Sequence, residues 1–268
     1  MALFLASSYI YCCFVSRKKS TTIGINYKTV GIDYKTKPSI SFSGCGIRYH
    51  FYGGVAEYMT DNFKTVNINI LCSSGGIYAA VIMALGRKMT DWCDRDWPKC
   101  YDYWCSRNCY LWFDTDTFQR QLWRNYLPVD AYQTCTNKLF ISVTRLGIYG
   151  FYQDTIYQYK SNEALIDAIV CTIHIPGLYR ILPKCNNRLA FDGCLTNLQP
   201  RINDKHTKMP TLCVKLFGHS NIDYGNKLSI KNLMKIVPPE SCNKKIQEGY
   251  TIAKEKHGEF LRCGFNEK

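Results

Sequence analysis

Three short segments, far apart in the chain, carry the residue types that acyl transfer to a serine requires. They are Ser43–Gly46, Ser73–Gly76 and Phe191–Gly193. The first offers backbone N–H groups for an oxyanion, the second a serine hydroxyl as nucleophile, and the third a carboxylate as base. Together they predict a serine acyl hydrolase that works without a catalytic histidine.

The glycine loop of the first segment supplies the candidate oxyanion donors, the amides of Gly44, Cys45 and Gly46. The loop follows a β-type run at Ser39–Phe42 and precedes a predicted helix at 49–60, so its amides would lie at a helix N-terminus, where anions are favoured. Removing one donor from such a site typically raises the barrier by about 3 kcal/mol. Taken alone, the Gly-x-Gly pattern is also typical of an ordinary turn or a phosphate-binding loop.

The second segment follows a predicted strand at 66–71 and opens a predicted helix at 76–89, which is the setting of a nucleophile elbow. Ser74 is favoured over Ser73, because Gly76 follows Ser74 by two residues and the small Cys72 precedes it by two. A helix N-cap at either serine is the structural alternative.

The third segment places Asp192 before Gly193, after a predicted strand at 189–191. Asp-Gly is a common turn dipeptide, and an aspartate at its ordinary pKa of about 3.9 is a weak base towards a hydroxyl. Apolar surroundings or direct contact with the serine would make it effective. No local pattern recommends any of the five histidines, which are His50, His174, His206, His219 and His257; His174 is expected to pack in the core.

Strand and helix patterns alternate along the chain from residue 39 onwards. Further strands are predicted at 138–145, 155–159 and 212–216, and further helices at 115–126, 161–170, 228–235 and 242–257. This alternation predicts an α/β fold with a mostly parallel sheet covered on both faces. Asn67 and Asn69 suggest that part of the strand at 66–71 lies near an edge or rim of the sheet.

The segments together resemble the patatin-like phospholipase family, in the branch that includes adipose triglyceride lipase and adiponutrin. The resemblance covers roughly residues 39–258, and its five segments occur in the family's order: Ser39–Gly46 with Gly54–Ala56, Ile70–Gly76, Lys138–Arg145, Cys171–Pro176 with Phe191–Gly193 and Asn197–Pro200, and Val237–Glu240 with Gly249 and Tyr250.

This resemblance implies a three-layer α/β fold and a catalytic dyad of Ser74 and Asp192. The amides of residues 44–46 would form the oxyanion hole, and Cys72, Gly76 and Gly193 would support the turns. It implies neither a metal nor an organic cofactor. Two residues depart from the family pattern, since Tyr49 and Cys72 stand where glycine is usual. Tyr49 is expected either to narrow the acyl site or to face solvent, and the two changes leave reduced activity as an alternative.

Composition and charge limit the other classes of function. The 268 residues carry a formal charge of +13, with 46% hydrophobic residues and 21% charged. This surplus favours anionic membranes or nucleic acid, but the basic residues are scattered and no nucleic-acid-binding motif accompanies them. We therefore expect a lipid surface as partner and no nucleic acid.

The chain has fifteen cysteines. Disulfide frameworks are typical of secreted chains much shorter than this one, so the cysteines predict a cytoplasmic protein with reduced thiols. The densest group, Cys93, Cys100, Cys105 and Cys109, lacks the Cys-x-x-Cys pairs of a zinc site. No metal site is predicted.

The predicted organisation is a leader or linker at 1–38, an acyl hydrolase domain at 39–258 and a tail at 259–268. The leader holds an apolar run at 2–15 followed by Arg17, Lys18 and Lys19, too short to span a bilayer. An interfacial anchor and a buried or frayed leader remain equal alternatives.

The resulting hypothesis is a lipase or phospholipase A acting on lipid esters, peripheral at a membrane or lipid droplet, with any protein co-activator unknown. The alternative is a catalytically weak or inactive patatin-like protein that binds a lipid surface or a protein partner. A basic nucleic-acid-binding protein is the second rival.

Overall fold

An eight-stranded mixed sheet organises the protein, for which a computed structural model describes residues 36–106, 115–175, 182–202, 210–216, 220–223 and 236–268. The strands are β1 (Ser39–Phe42), β2 (Asn69–Ser73), β3 (Leu139–Gly147), β4 (Gly150–Ile156), β5 (Lys184–Cys185), β6 (Arg188–Asp192), β7 (Leu212–Lys215) and β8 (Ile222–Asp223). Hydrogen bonds link them in the order β5-β6-β3-β2-β1-β7-β8, and β4 pairs with β3.

The centre of the sheet is parallel, as predicted, and its outer part is antiparallel. The pairs β8–β7, β7–β1, β1–β2 and β2–β3 are parallel, whereas β3 pairs antiparallel with β4 and β6. Strands β1 and β2 are buried at every residue. Burial on both faces is what a parallel sheet inside an α/β protein requires.

The register of β3 places the ends of β2 and β6 next to each other. Residues 141–147 of β3 pair with β4 along one edge. The opposite edge pairs with β2 up to Ser142, opposite Ser73, and with β6 from Val143, opposite Asp192. The carboxyl ends of β2 and β6 therefore meet on one edge of β3.

The described helices are α1 (His50–Asn62), α2 (Ile77–Ala84), α3 (Met89–Arg95), α4 (Trp97–Ser106), α5 (Thr115–Tyr126), α6 (Ala131–Cys135), α7 (Asn162–Thr172), α8 (Pro239–Glu255) and α9 (His257–Arg262). The helix predicted at 76–89 is shorter than expected. It ends after Ala84 because Gly86 adopts a left-handed conformation with φ of 65°.

Residues 90–136 contain more helix than the single one predicted at 115–126. Helices α3, α4 and α6 were missed because they are short, with seven, ten and five residues, and because α4 is rich in aromatic residues and cysteine. The helix predicted at 228–235 lies outside the described residues. None of the helices in the described part of the chain is long and apolar enough to cross a bilayer.

Two predicted strands are displaced along the chain. The strand predicted at 66–71 runs from Asn69 to Ser73, and Val66 is exposed in the turn before it. The predicted edge position is wrong for Asn69, since β2 is central and the Asn69 side chain is buried and donates to Ser39 Oγ at 3.1 Å. The strand predicted at 155–159 is β4, which forms a hairpin with β3.

The two faces of the sheet are covered differently. Alternate residues of the central strands, such as Ile40, Ile70 and Ile141, join the large core formed with the helices. On the opposite face Leu71 and Phe140 pack with Ile202. The segment at 193–202 therefore forms a layer of its own across the second face, which completes a three-layer α/β arrangement.

Helices α1 and α8 pack with their backbones in close contact. A Cβ on Gly54 would lie 1.9 Å from the Ile246 carbonyl oxygen, and a Cβ on Gly249 would lie 2.0 Å from that of Phe51. The predicted boundary after residue 258 falls inside α9, and residues beyond it join the core, because Phe260 stacks on Phe63 with ring centroids 5.0 Å apart.

Arg145 is almost fully buried and holds the outer strands together. Its Nε donates to Asp154 of β4 at 2.9 Å, and its Nη1 donates to the carbonyl oxygens of Cys185 and Arg188 at 2.9 and 2.8 Å. One guanidinium therefore links β3 to β4, β5 and β6 through charge-assisted hydrogen bonds.

We expect Arg145→Met to lower the free energy of unfolding by about 2–4 kcal/mol, since it leaves buried carbonyl oxygens without donors. Urea denaturation followed by tryptophan fluorescence measures this. Arg124→Met is the matched control, because Arg124 pairs with Glu163 at a site where both side chains are about half exposed, and we expect a loss below about 1 kcal/mol. Equal losses in the two variants would contradict the role of Arg145.

Candidate active site

Ser74 occupies a strained turn between β2 and α2. It begins a 3-10 turn, Ser74–Gly76, and has a φ of 50°, a left-handed conformation that non-glycine residues seldom adopt. The residue is 8% exposed. Strain of this kind persists only where the surroundings enforce it, and it is typical of a nucleophile elbow.

Close backbone contacts explain the two glycines that follow Ser74. A Cβ on Gly75 would lie 1.9 Å from the Gly46 carbonyl oxygen, and one on Gly76 would lie 2.6 Å from the carbonyl oxygens of Phe42 and Ser43. Cys72 causes no such conflict: it lies inside β2, fully buried in the core, with its thiol 3.8 Å from the Phe140 carbonyl oxygen.

The structure brings Asp192 directly against Ser74. The Ser74 hydroxyl donates to Asp192 Oδ2 at 2.7 Å, although 118 residues separate them in sequence. Asp192 Oδ1 accepts from the Cys194 amide at 2.8 Å. The carboxylate, 1% exposed, is thus held on both oxygens, with one of them facing the serine.

Gly193 permits this arrangement because it lies in a narrow gap. A Cβ there would lie 2.3 Å from the Ser142 carbonyl oxygen and 2.7 Å from Ser73 Oγ. The geometry also distinguishes the two serines, because Ser73 has ordinary extended backbone and its hydroxyl lies 3.5 Å from the Cys194 thiol.

Two further residues position the pair and were missed in the sequence. The Thr172 hydroxyl accepts from the Ser74 amide at 3.0 Å and donates to the Ser142 carbonyl oxygen at 2.7 Å. The His174 carbonyl oxygen accepts from the Asp192 amide at 2.9 Å. Neither contact has a local sequence signal, since both depend on where α7 ends relative to β3 and β6.

The glycine loop lies beside the serine, but its donors differ from the prediction. A Cβ on Gly44 would lie 3.3 Å from Ser74 Cβ. The Gly44 amide, however, donates to the Leu198 carbonyl oxygen at 3.0 Å. The Gly44 amide is thus already paired in this structure, and of the three predicted oxyanion donors we retain Cys45 and Gly46 for the proposal below. Burial, together with the nearby charge of Asp192, raises the pKa of the Cys45 thiol well above its usual value.

Tyr49 faces the protein interior, so of the two alternatives given for it, the one in which it faces solvent is wrong. It is 1% exposed and stacks on Tyr78 and His50 with ring centroids 4.1 and 4.5 Å apart. The Tyr49 side chain, which stands where the family usually has glycine, packs into this aromatic cluster behind the glycine loop.

The hydroxyl and the carboxylate meet without an intervening imidazole. His174 is buried, as expected, and burial lowers its pKa to about 4. His50 is also buried, with a pKa lowered to about 3. His257 bridges Tyr58 and Glu267, and His206 and His219 lie outside the described residues.

Comparison with known proteins finds two curated relatives, the omega-hydroxyceramide transacylases of Mus musculus and Homo sapiens. The chain is 26% identical to each over an alignment of 179 positions, and the alignment covers 63% of this chain. The match covers 29% of the mouse protein and 32% of the human one, so the chain spans about a third of their length. No protein-family model matches the chain. The similarity is thus to lipid-modifying enzymes, and the assignment to the adipose triglyceride lipase branch stays a prediction.

We expect Gly75→Ala to displace the glycine loop, because the added methyl group would lie 1.9 Å from the Gly46 carbonyl oxygen. The predicted cost is about 1–3 kcal/mol in the free energy of unfolding, measured by urea denaturation. Gly258→Ala is the matched control, since nothing lies within 4 Å of its added methyl group, and its stability should be unchanged or higher by less than about 1 kcal/mol. A Gly75→Ala variant as stable as this control would contradict the close packing.

Proposed function

We propose that the protein is a lipid acyl-ester hydrolase in which Ser74 is the nucleophile and Asp192 the general base. The observation that carries the proposal is the 2.7 Å hydrogen bond from the Ser74 hydroxyl to Asp192 Oδ2 at a strained elbow. Similarity to two lipid-modifying enzymes supports the substrate class. Roles for Cys72, Gly76 and Gly193 in supporting the turns belong to the same proposal.

In the first step the Ser74 oxygen attacks the ester carbonyl carbon while its proton passes to Asp192 Oδ2. The Cys194 amide fixes the other carboxylate oxygen, so the acceptor oxygen does not have to reorient during transfer. The tetrahedral intermediate then expels the alcohol, which takes the proton from Asp192. An acyl-serine remains.

The negative charge on the carbonyl oxygen would be stabilised by the amides of Cys45 and Gly46. Gly75 offers a further donor, because the residue after the nucleophile opens a helix and helix-opening N–H groups have no partner within the helix. The Gly44 amide keeps the loop against residue 198 and so positions the other donors.

In the second step an acceptor hydroxyl gives its proton to Asp192 and its oxygen attacks the acyl-serine. The tetrahedral intermediate then expels the Ser74 oxygen, which takes that proton from Asp192, so the serine hydroxyl and the carboxylate are both restored. With water as acceptor the product is a free fatty acid. A second candidate function, transfer of the acyl group to a lipid hydroxyl, is favoured by the name of the two relatives. The first step is the same for both functions.

The β3–β4 hairpin supports a lipid surface as the partner. Strand β3 continues five residues past Ser142, about 16 Å beyond the end of β2. Its tip exposes Ile148 and Tyr149, which are 91% and 99% exposed, next to Leu146 and Phe151. The exposed Lys184 and Arg188 lie on the adjacent strands β5 and β6. Apolar side chains beside cations suit an anionic lipid interface.

The same features favour this proposal over its rivals. A non-catalytic lipid-binding or partner-binding protein has no need of a strained serine held against a buried carboxylate. Nucleic-acid binding likewise gives no reason for this serine and carboxylate to be held together. We propose a peripheral, cytoplasmic location at a membrane or lipid droplet, with a domain that begins near residue 39 and includes α9, whose Phe260 belongs to the core.

We expect Ser74→Ala to abolish labelling by a fluorophosphonate probe and to lower ester hydrolysis by about 10⁴-fold or more. Asp192→Asn should lower it by about 10²–10⁴-fold, since the shape is kept and the base is lost. The measurements are gel-based labelling and release of fatty acid from phospholipid and acylglycerol vesicles, with and without a long-chain lipid alcohol.

Ser73→Ala is the matched control and should retain labelling. Labelling that survives in Ser74→Ala, or is absent in the folded wild type, would reject the hydrolase. Formation of acylated alcohol in place of fatty acid would select the second candidate function.

We expect the double change Ile148→Ser with Tyr149→Ser to lower vesicle binding and vesicle hydrolysis by about 10–100-fold, since two large apolar side chains no longer enter the interface. Hydrolysis of a short, water-soluble ester should be unchanged. Val66→Ser is the control, because Val66 is 89% exposed at the opposite end of β2. If both variants bind anionic vesicles like the wild type, the hairpin is not the lipid contact.

A further inference from the structure

Three buried side chains from distant parts of the chain converge behind the glycine loop. They are His50 at the start of α1, Cys93 in α3 and Cys242 in α8, and their ligand atoms all lie within 4.8 Å of one another. We propose that these three residues form a zinc-binding site, which no local cysteine pattern in the sequence indicates.

The histidine supplies an independent sign that a ligand belongs there. Its ring is fully buried, and neither Nδ1 nor Nε2 has a hydrogen-bond partner. A buried polar group left without a partner carries a large desolvation penalty, so native structures rarely retain one. A metal ion bonded to the ring nitrogen that faces the two thiols would remove the desolvation penalty of that atom.

The donor set and its charge select zinc. Two cysteines and one histidine are typical zinc ligands. When Zn²⁺ binds, the two thiol protons leave to solvent as two Zn–S bonds form, and the neutral imidazole donates its lone pair. Two thiolates balance the charge of the ion, so the buried complex is neutral, whereas the same ligands would leave Cu⁺ with a negative charge.

The surrounding packing holds the donors in place. The His50 ring lies between Tyr49 and Trp97, with ring centroids 4.5 and 4.7 Å away. Helices α1 and α8, which carry His50 and Cys242, are in backbone contact at Gly54 and Gly249. Three protein ligands leave the fourth position of a tetrahedral zinc ion without a protein donor.

The site would tie the start of α1 to α3 and α8. His50 lies four residues after Gly46, the last residue of the glycine loop. A bound ion would therefore fix the start of α1, the helix that follows the loop. The inferred role is structural, and it does not depend on the chemistry proposed for Ser74.

The test uses the full chain, purified under reducing conditions, stripped with a chelator and dialysed against Zn²⁺. We expect about one tightly held zinc per chain and a rise in Tm of about 5–10 °C at a hundredfold excess over Kd. Cobalt in place of zinc should give thiolate-to-cobalt charge-transfer absorption, which reports sulfur ligands directly.

Cys242→Ala should lose the bound zinc and the cobalt absorption, whereas Cys263→Ala, a fully buried cysteine outside the cluster, should retain both. Equal zinc in the two variants would overturn the proposal. So would wild-type protein that binds no zinc, or that yields a Cys93–Cys242 disulfide from reducing conditions. If Cys242→Ala fails to fold, X-ray absorption of the wild-type zinc decides, since two sulfurs and one nitrogen are required.

Discussion

The pairing of β3 with two different strands along one edge is the constraint on which the site depends. Strand β2 runs up that edge and ends opposite Ser142, and β6 runs down it and ends opposite Val143. Asp192 is the last residue of β6, and Ser74 directly follows the last residue of β2. A slip of one residue in either pairing would turn every side chain of that strand to the other face, so the 2.7 Å contact between hydroxyl and carboxylate is a direct consequence of register.

The strain at Ser74 is stabilised by several fixed groups at once. Thr172 holds its amide, and the backbones of Phe42, Ser43 and Gly46 leave no room for side chains at Gly75 and Gly76. The same crowding keeps the glycine loop next to the serine. A left-handed serine of this kind costs of order 1–3 kcal/mol, which the packing of three chain segments around it offsets.

Local features of the site could be predicted from the sequence, and long-range ones could not. The Ser-Ser-Gly-Gly turn and the Asp-Gly turn were recognisable because small residues at fixed spacing report tight backbone geometry. The bond from Gly44 to residue 198 could not be anticipated, since it depends on how the segment after β6 crosses the sheet. For the same reason the cysteine group at 93–109 indicated no metal site, whereas Cys93 meets its partners from residues 50 and 242 only after folding.

Similar limits apply to the fold. The strands of the α/β core were predicted from short β-type runs and from apolar residues that alternate with polar ones. The bounds of β1 were predicted as observed, whereas β2 begins three residues later than predicted. The short helices α3 and α4 were missed because their aromatic side chains pack against rings from other segments, as Trp92 of α3 does against Trp123 of α5, with ring centroids 5.3 Å apart. Their burial is decided by neighbours distant in sequence, which leaves a weak helical period.

In the proposed mechanism, hydrolysis and acyl transfer differ only in which hydroxyl reaches the acyl-serine. The base that accepts the Ser74 proton must also accept the proton of the second nucleophile, so Asp192 serves water and a lipid alcohol equally. The side chains around the pair are almost fully buried, and a substrate in place would exclude further solvent. Under this proposal the outcome depends on the relative access of water and lipid alcohol after the first product leaves, and the exposed apolar hairpin would influence that access beside the Ser74–Asp192 pair.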